Sequence, residues 1–233
     1  MPARLLPARY RWLLSLIMAL GTASTSLTAG ANGGHFMVDD ASIAPPSNCE
    51  LETWVTRLDP NTVATAVPTC NFTGASEWSM PVRYNISDSE TEAVGLQYKR
   101  VLWSTSSGPT LAVSAGTQYS LLSDEFGKFY VNLPLSVQPL ENLTVHFNGG
   151  LTHDRVLDDT YANWGVAATL KPLTGPVWIL EMADNEWRSD PVFAAGARMP
   201  IGSTRWTLDL GVARDTQWDE TAYTIGINIP NLF

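Results

Sequence analysis

Thiol chemistry in this chain is confined to Cys49 and Cys70. An even pair of cysteines in an exported chain reads as a disulfide. The midpoint of the pair falls at Asp59–Pro60, a turn signal, so the two would face each other across a hairpin. A redox role would want a cation beside a thiol, and neither has one in sequence. His35 with Asp39 and Asp40 has the donor types of a divalent metal site. Those residues lie in the Gly- and Pro-bearing stretch Asn32–Asn48, where a solvated tail is the simpler reading and a short plug a further one. His146, with Asn148 two residues on, is the one histidine on the polar face of an alternating segment. Ser114 and Ser136 have the same facing, but no motif frames either as a nucleophile. His153-Asp154 reads as a solvated pair in an acidic loop. The sequence has no phosphate-binding Gly loop, no Cys/His metal cluster and no nucleophile elbow. No catalytic residue, metal site or cofactor is therefore assigned.

What remains is charge inside otherwise apolar or small-residue segments: Arg83, Lys99, Lys171, Glu181, Arg198 and Asp209, with Glu52. Charged residues make up only 16% of the 233, against roughly 25% in ordinary soluble domains. Hydrophobic residues reach 45%, which excludes disorder for the chain as a whole. The formal charge of -9 argues against a nucleic-acid partner.

The first segment stands apart. Arg4, Arg9 and Arg11 precede a short apolar run, Trp12–Leu20, and small residues follow. This pattern predicts a secretory signal over residues 1–31, cleaved after Ala23 or Ala31. Residues 32–48 then form a periplasmic N-terminal segment. No later apolar run reaches the roughly 18 residues a membrane helix needs.

From residue 49 on, a period of two dominates. Trp78, Met80, Val82 and Tyr84 alternate with polar neighbours, as do Val94–Tyr98, Leu111–Ala115, Val131–Val137 and Leu143–Phe147. The pattern continues through Trp164–Leu170, Trp206–Val212 and Tyr223–Ile229. Weaker runs lie near Leu51–Arg57, Val63–Phe72, Trp178–Ala183 and Val192–Met199, for twelve candidate strands and no convincing helix. One face is bulky and apolar; the other is Gly, Ala, Ser, Thr, Asn and a few charges. That sense of alternation fits a membrane barrel, apolar toward lipid and small or polar within. A secreted sandwich would also alternate. Short Pro- and Gly-bearing turns near 105–109, 139–142, 172–176 and 200–203 take turns with acidic stretches at 85–92, 121–128, 153–160, 184–190 and 214–220. Such parity predicts tight turns on one rim and long loops on the other. Trp78, Trp178 and Trp206 fall beside the first kind; Tyr84, Trp164 and Tyr223 fall beside the second, as two interfacial belts would.

The chain ends on Phe233, preceded at alternate positions by Ile229, Ile227, Ile225 and Tyr223. In this it resembles the bacterial outer-membrane β-barrel family, whose last strand ends in an aromatic residue read by the barrel-assembly machinery. Pro230 and Asn231 depart from that pattern. The resemblance implies an all-β, closed antiparallel transmembrane barrel of about 12 strands over residues 49–233, in the outer membrane of a Gram-negative-type bacterium. Its partners would be outer-membrane lipids, the assembly machinery and a small polar solute. The nearest likeness is to small transporter-like barrels.

A barrel of about twelve strands lies between filled barrels of about eight and open porins of about sixteen. Arg83, Lys99, His146, Asn148, Lys171, Glu181, Arg198 and Asp209 are the expected lumen-lining residues. The small inward residues Gly165, Ala167, Ala194, Gly196, Gly211, Ala213 and Gly226 predict open space beside them. A narrow channel for ions or small polar solutes is the favoured function. A lipid hydrolase using His146, and a structural or surface-binding barrel, are the alternatives.

Overall fold

The computed structural model describes residues 36–105, 108–184, 190–216 and 219–232. Strands β1 (Asn48–Leu58), β2 (Asn61–Asn71), β3 (Ser76–Ser79), β4 (Val82–Asn85), β5 (Glu90–Ser104), β6 (Thr110–Ser120) and β7 (Glu125–Asn132) form the first half. Strands β8 (Leu135–Leu140), β9 (Leu143–Asp154), β10 (Asp159–Leu170), β11 (Val177–Asp184), β12 (Val192–Pro200), β13 (Thr207–Asp215) and β14 (Glu220–Ile229) form the second. All pairings are antiparallel, and β1 closes on β14 from Leu51↔Ile229 to Leu58↔Ala222. β3 and β4 share one position between β2 and β5, as β7 and β8 do between β6 and β9. The ring therefore has 12 positions.

Both shared positions are broken at a proline. Pro81 separates β3 from β4 and Pro134 separates β7 from β8, and a proline has no N–H to give the ladder. Their carbonyls still accept, from Gly95 N at 2.7 Å and Ala112 N at 2.9 Å. The alternation through Met80–Val82 and Val131–Val137 is thus real in its facing but interrupted in its hydrogen bonding.

The burial is inverted relative to a soluble sandwich, and this decides between the two readings of the alternation. Trp78, Leu96, Phe147, Trp178, Leu180, Phe193 and Ile225 are exposed on the outer face. Asn71, Asp40, Asp209 and Ser114 are among the largest fully buried side chains. The exposed aromatics lie near both rims, with Trp78, Trp178 and Trp206 on one side and Tyr84, Trp164 and Tyr223 on the other. Such a surface is stable only where the surrounding solvent is hydrocarbon. Tyr223, Ile225 and Ile227 are exposed on this face, as the terminal pattern requires; Phe233 lies outside the described residues.

The rims differ from expectation. Four of the five acidic stretches are not long loops: the ladder closes across Asn85↔Glu90, Ser120↔Glu125, Asp154↔Asp159 and Asp215↔Glu220, and residues 185–189 of the fifth lie outside the described residues. The residue before each second partner, Ser89, Asp124, Asp158 or Asp219, has φ between 50 and 58. Asp is one of the residue types that tolerate this left-handed region. Asn85 Oδ1 accepts from Ser87 N and Asp88 N, and Asp154 Oδ1 from Val156 N and Leu157 N, so the leading side chain caps the turn. Polar residues such as Glu90, Glu92 and Lys128 belong to the strands. Inside a wet tube, polarity on the inner face does not end a strand.

The disulfide forms as the spacing predicts. Cys49 and Cys70 are directly opposed across β1 and β2 with Cα atoms 4.1 Å apart. The clip sits on the rim that also carries the end of β14, where Leu232 N donates to Cys49 O at 2.7 Å.

Candidate functional site

The lumen is crossed by the chain's own residues 36–47, which run inward from the rim where β1 begins. Their backbone is held by wall side chains at short intervals. Glu181 on β11 accepts from Met37 N at 3.0 Å and Val38 N at 3.1 Å. Asn148 on β9 accepts from Asp39 N at 2.8 Å and donates to Asp39 O at 2.6 Å. Ser136 Oγ accepts from Ala41 N, Glu77 Oε2 from Ala44 N, and Asn71 Nδ2 donates to Ala44 O. A segment without strand partners must satisfy its buried amides in this way.

Packing and charge complete the seat. A Cβ on Gly165 would lie 2.8 Å from Val38 Cγ2, and one on Gly196 would lie 2.7 Å from Phe36 Cε1. Val38 joins Ala167 and Ala183 in a small buried cluster. Gly165, Ala167 and Gly196, expected from sequence to border open space, instead make room for the segment. Lys99 Nζ, 3% exposed, lies 2.7 Å from Asp39 Oδ1 and 3.5 Å from Asp40 Oδ1. Both carboxylates of the proposed metal set thus face an ammonium, and His35 lies outside the described residues.

The other expected lumen residues separate by place. Arg198 on β12 meets its register partner Asp209 on β13 through two hydrogen bonds, at 2.8 and 2.6 Å, while Asn228 donates to the same carboxylate at 2.9 Å. The Arg198 guanidinium also stands 5.7 Å over the Phe36 ring. Arg83 pairs with Glu92 at 3.3 Å, half exposed, on the far side of the segment. His146 is buried, its Nδ1 2.8 Å from Ser136 Oγ and its Nε2 3.3 Å from Thr169 Oγ1. This Ser–His contact has the right distance for catalysis, but the same hydroxyl is engaged by Ala41 N–H beneath the seated segment. Lys171 does not line the lumen. β10 ends at Leu170, and Lys171 lies exposed in the turn beyond it, past the reach of the wall's alternation.

Sequence reasoning missed Glu50, Glu77 and Asn71, all buried inside. The alternation of Glu50 and Glu52 with Trp54 and Thr56 carried the signal for the first, blurred by the apolar character of Trp54. Two cavities flank the segment. One, about 280 Å³, runs beside it and is bordered by Asp39, Glu50, Glu52 and Glu77 together with Lys99. Asn132 lines this cavity and keeps a buried Oδ1 without a hydrogen-bond partner among the described residues. The second, about 590 Å³, lies between the segment and the rim of tight acidic turns, with Arg83 and Glu92 in its wall.

A family model described as "Uncharacterised conserved protein UCP029691" matches residues 19–230. The chain belongs to that family. No curated protein matches it. Among solved structures it is similar to the KdgM porin in complex with disordered oligogalacturonate, with TM-score 0.65 and 10% identity over 77% of this chain and 98% of that one. The NanC porin aligns with TM-score 0.57 and 11% identity, over 78% and 98%. Omp33 of Acinetobacter baumannii aligns with TM-score 0.53 and 12% identity, over 79% and 98%. At these identities the likeness is one of fold. With the apolar exterior, it identifies a small outer-membrane β-barrel.

Proposed function

We propose that this barrel is a narrow channel of the outer membrane for small polar solutes, admitting cations and uncharged molecules in preference to anions. The observation that carries the reading is the cavity beside residues 36–47. Asp39, Glu50, Glu52 and Glu77 set four carboxylates there against the Lys99 ammonium. A constriction with excess negative charge in low-dielectric walls concentrates cations and repels anions. A galacturonate oligomer carries a carboxylate on every unit, so the oligogalacturonate in the KdgM complex is of the class this lumen should exclude. In the same reading residues 1–31 are removed on export, the start of the 32–48 segment and the C-terminus lie on the periplasmic side, and the tight acidic turns face outward.

The test is reversal potential in planar bilayers across a potassium chloride gradient. Wild type should be cation-selective, and Glu52→Gln should reduce the permeability ratio without changing barrel assembly. Anion selectivity, or a refolded protein that never conducts, sinks the proposal.

A further inference from the structure

We propose that the outer cavity is a binding site for a small uncharged saccharide, on the path that solutes take to the segment below. This rests on the channel reading for its purpose but not for its chemistry. The cavity of about 590 Å³ falls within the roughly 300–1,000 Å³ of small-molecule sites. Its walls combine an aromatic surface, free amides and a neutralised charge pair, which is the combination a sugar's alternating apolar faces and hydroxyl edges require.

The aromatic surface is Trp54. It stands on the inner face of β1, where an indole has no apolar core to join. Its partner across the seam is Gly226, where an added Cβ would lie 3.0 Å from Trp54 Cβ. The missing side chain lets the indole lean along the wall and present itself to the cavity it lines. A second ring, Tyr130, lies over Gly116 on β6, where an added Cβ would be 2.7 Å from its Cε1.

The amides are Gln97 and Gln118. Gln97 is the register partner of Gly116, and Gln118 stands one inward position further along β6. Both line the cavity, and neither is hydrogen-bonded to another described residue through its side chain. Each offers a carbonyl acceptor and two N–H donors, which match a hydroxyl that both donates and accepts. Charge in the same wall is balanced. Arg83 faces Glu92 at 3.3 Å, and Asn85 Nδ2 donates to Glu92 Oε1 at 3.0 Å. An anionic solute finds no unpaired cation in that pair, whereas a neutral polyol needs none.

The test is isothermal titration calorimetry on the refolded full chain in detergent, with maltose, cellobiose and digalacturonate as probes. Calorimetry needs no current, so the site and the channel reading fail separately. Millimolar or tighter binding of a neutral disaccharide, at least tenfold above digalacturonate, is expected. Gln118→Leu and Trp54→Leu should each weaken it about tenfold or more, and Trp54→Tyr should restore part of the loss. Should Trp54→Leu fail to assemble, Gln118→Leu and Gln97→Leu carry the comparison alone. Absence of binding by both neutral sugars, equal binding of digalacturonate, or indifference to these substitutions overturns the proposal, whether or not the barrel conducts.

Discussion

Replacing Lys99 with Met removes the ammonium while keeping most of the side chain's length. In the folded barrel it leaves Asp39, 2.7 Å away, and Asp40, 3.5 Å away, without the cation that faces them. Breaking a buried pair by deleting one partner costs about 3–5 kcal/mol, most of it the stranded charge. Lys99 is 3% exposed and Asp40 2%, while Asp39 at 25% keeps some solvent, so the cost should fall toward the lower end of that range. The barrel ladder does not depend on the pair. The cost falls on the docking of residues 36–47, and at about 1.4 kcal/mol per decade it shifts that equilibrium by roughly 10² to 10³-fold toward the undocked state. Hydrogen–deuterium exchange of the refolded protein should therefore quicken over residues 37–46 with little change in β9 to β14. Conductance should rise in step, since the segment crosses the lumen. Adding Asp39→Asn to Lys99→Met removes one stranded charge and should recover part of the protection. A Lys99→Met barrel that assembles normally, yet protects residues 37–46 as wild type does, refutes the claim that this pair holds the segment.

Gly165→Leu tests the same docking through volume: the new side chain meets Val38, and overpacking of about 1–3 kcal/mol should speed exchange of residues 36–40. On the lipid face, Ile227→Lys should impair membrane insertion by about 2–4 kcal/mol. Thr224→Lys, whose wild-type hydroxyl meets Thr56 Oγ1 at 2.9 Å inside, should be milder, and equal loss of heat-modifiable gel mobility would contradict the assigned faces. An epitope tag at Asp158 should be accessible on intact cells and one at Thr174 should not; the opposite result inverts the orientation.

Much of the barrel was legible because a strand between lipid and water writes its two faces in different residues. Val94, Leu96 and Tyr98 against Gly95, Gln97 and Lys99 could be read without a structure. The strand ends were not legible. Glu90 and Thr91 look like loop residues, and only their ladder partners Asn85 and Tyr84 show that they continue β5, with Glu92 at the irregularity that follows. The prolines deceived in the other direction, since facing survives a missing N–H while pairing does not. For the lumen, charge location was readable but occupancy was not. Gly165 and Gly196 suggest empty space when only the wall is considered. Filling it requires knowing that residues 36–47, led by Phe36 and Val38 and ending in prolines, return to meet them. Lys171 keeps the wall's parity in sequence, yet parity has no meaning once the strand has ended.

Ser47, with φ 61, joins the docked segment to β1, and its N–H is bonded to Asn71 O at 2.9 Å. Two residues later Cys49 is anchored on both sides, by the covalent bond to β2 and by the amide of Leu232 at the other edge of the seam. Any tension applied to the N-terminal segment must travel through this junction. The crosslink passes the load to β2 rather than leaving β1 to peel from β14, where hydrogen bonds alone resist. The segment is a tether with a reinforced fixing: drawn from the lumen, it would turn about Ser47 while the crosslink carries the load into β2. With Cys70 changed to Ala, the same pull would open the wall at its seam.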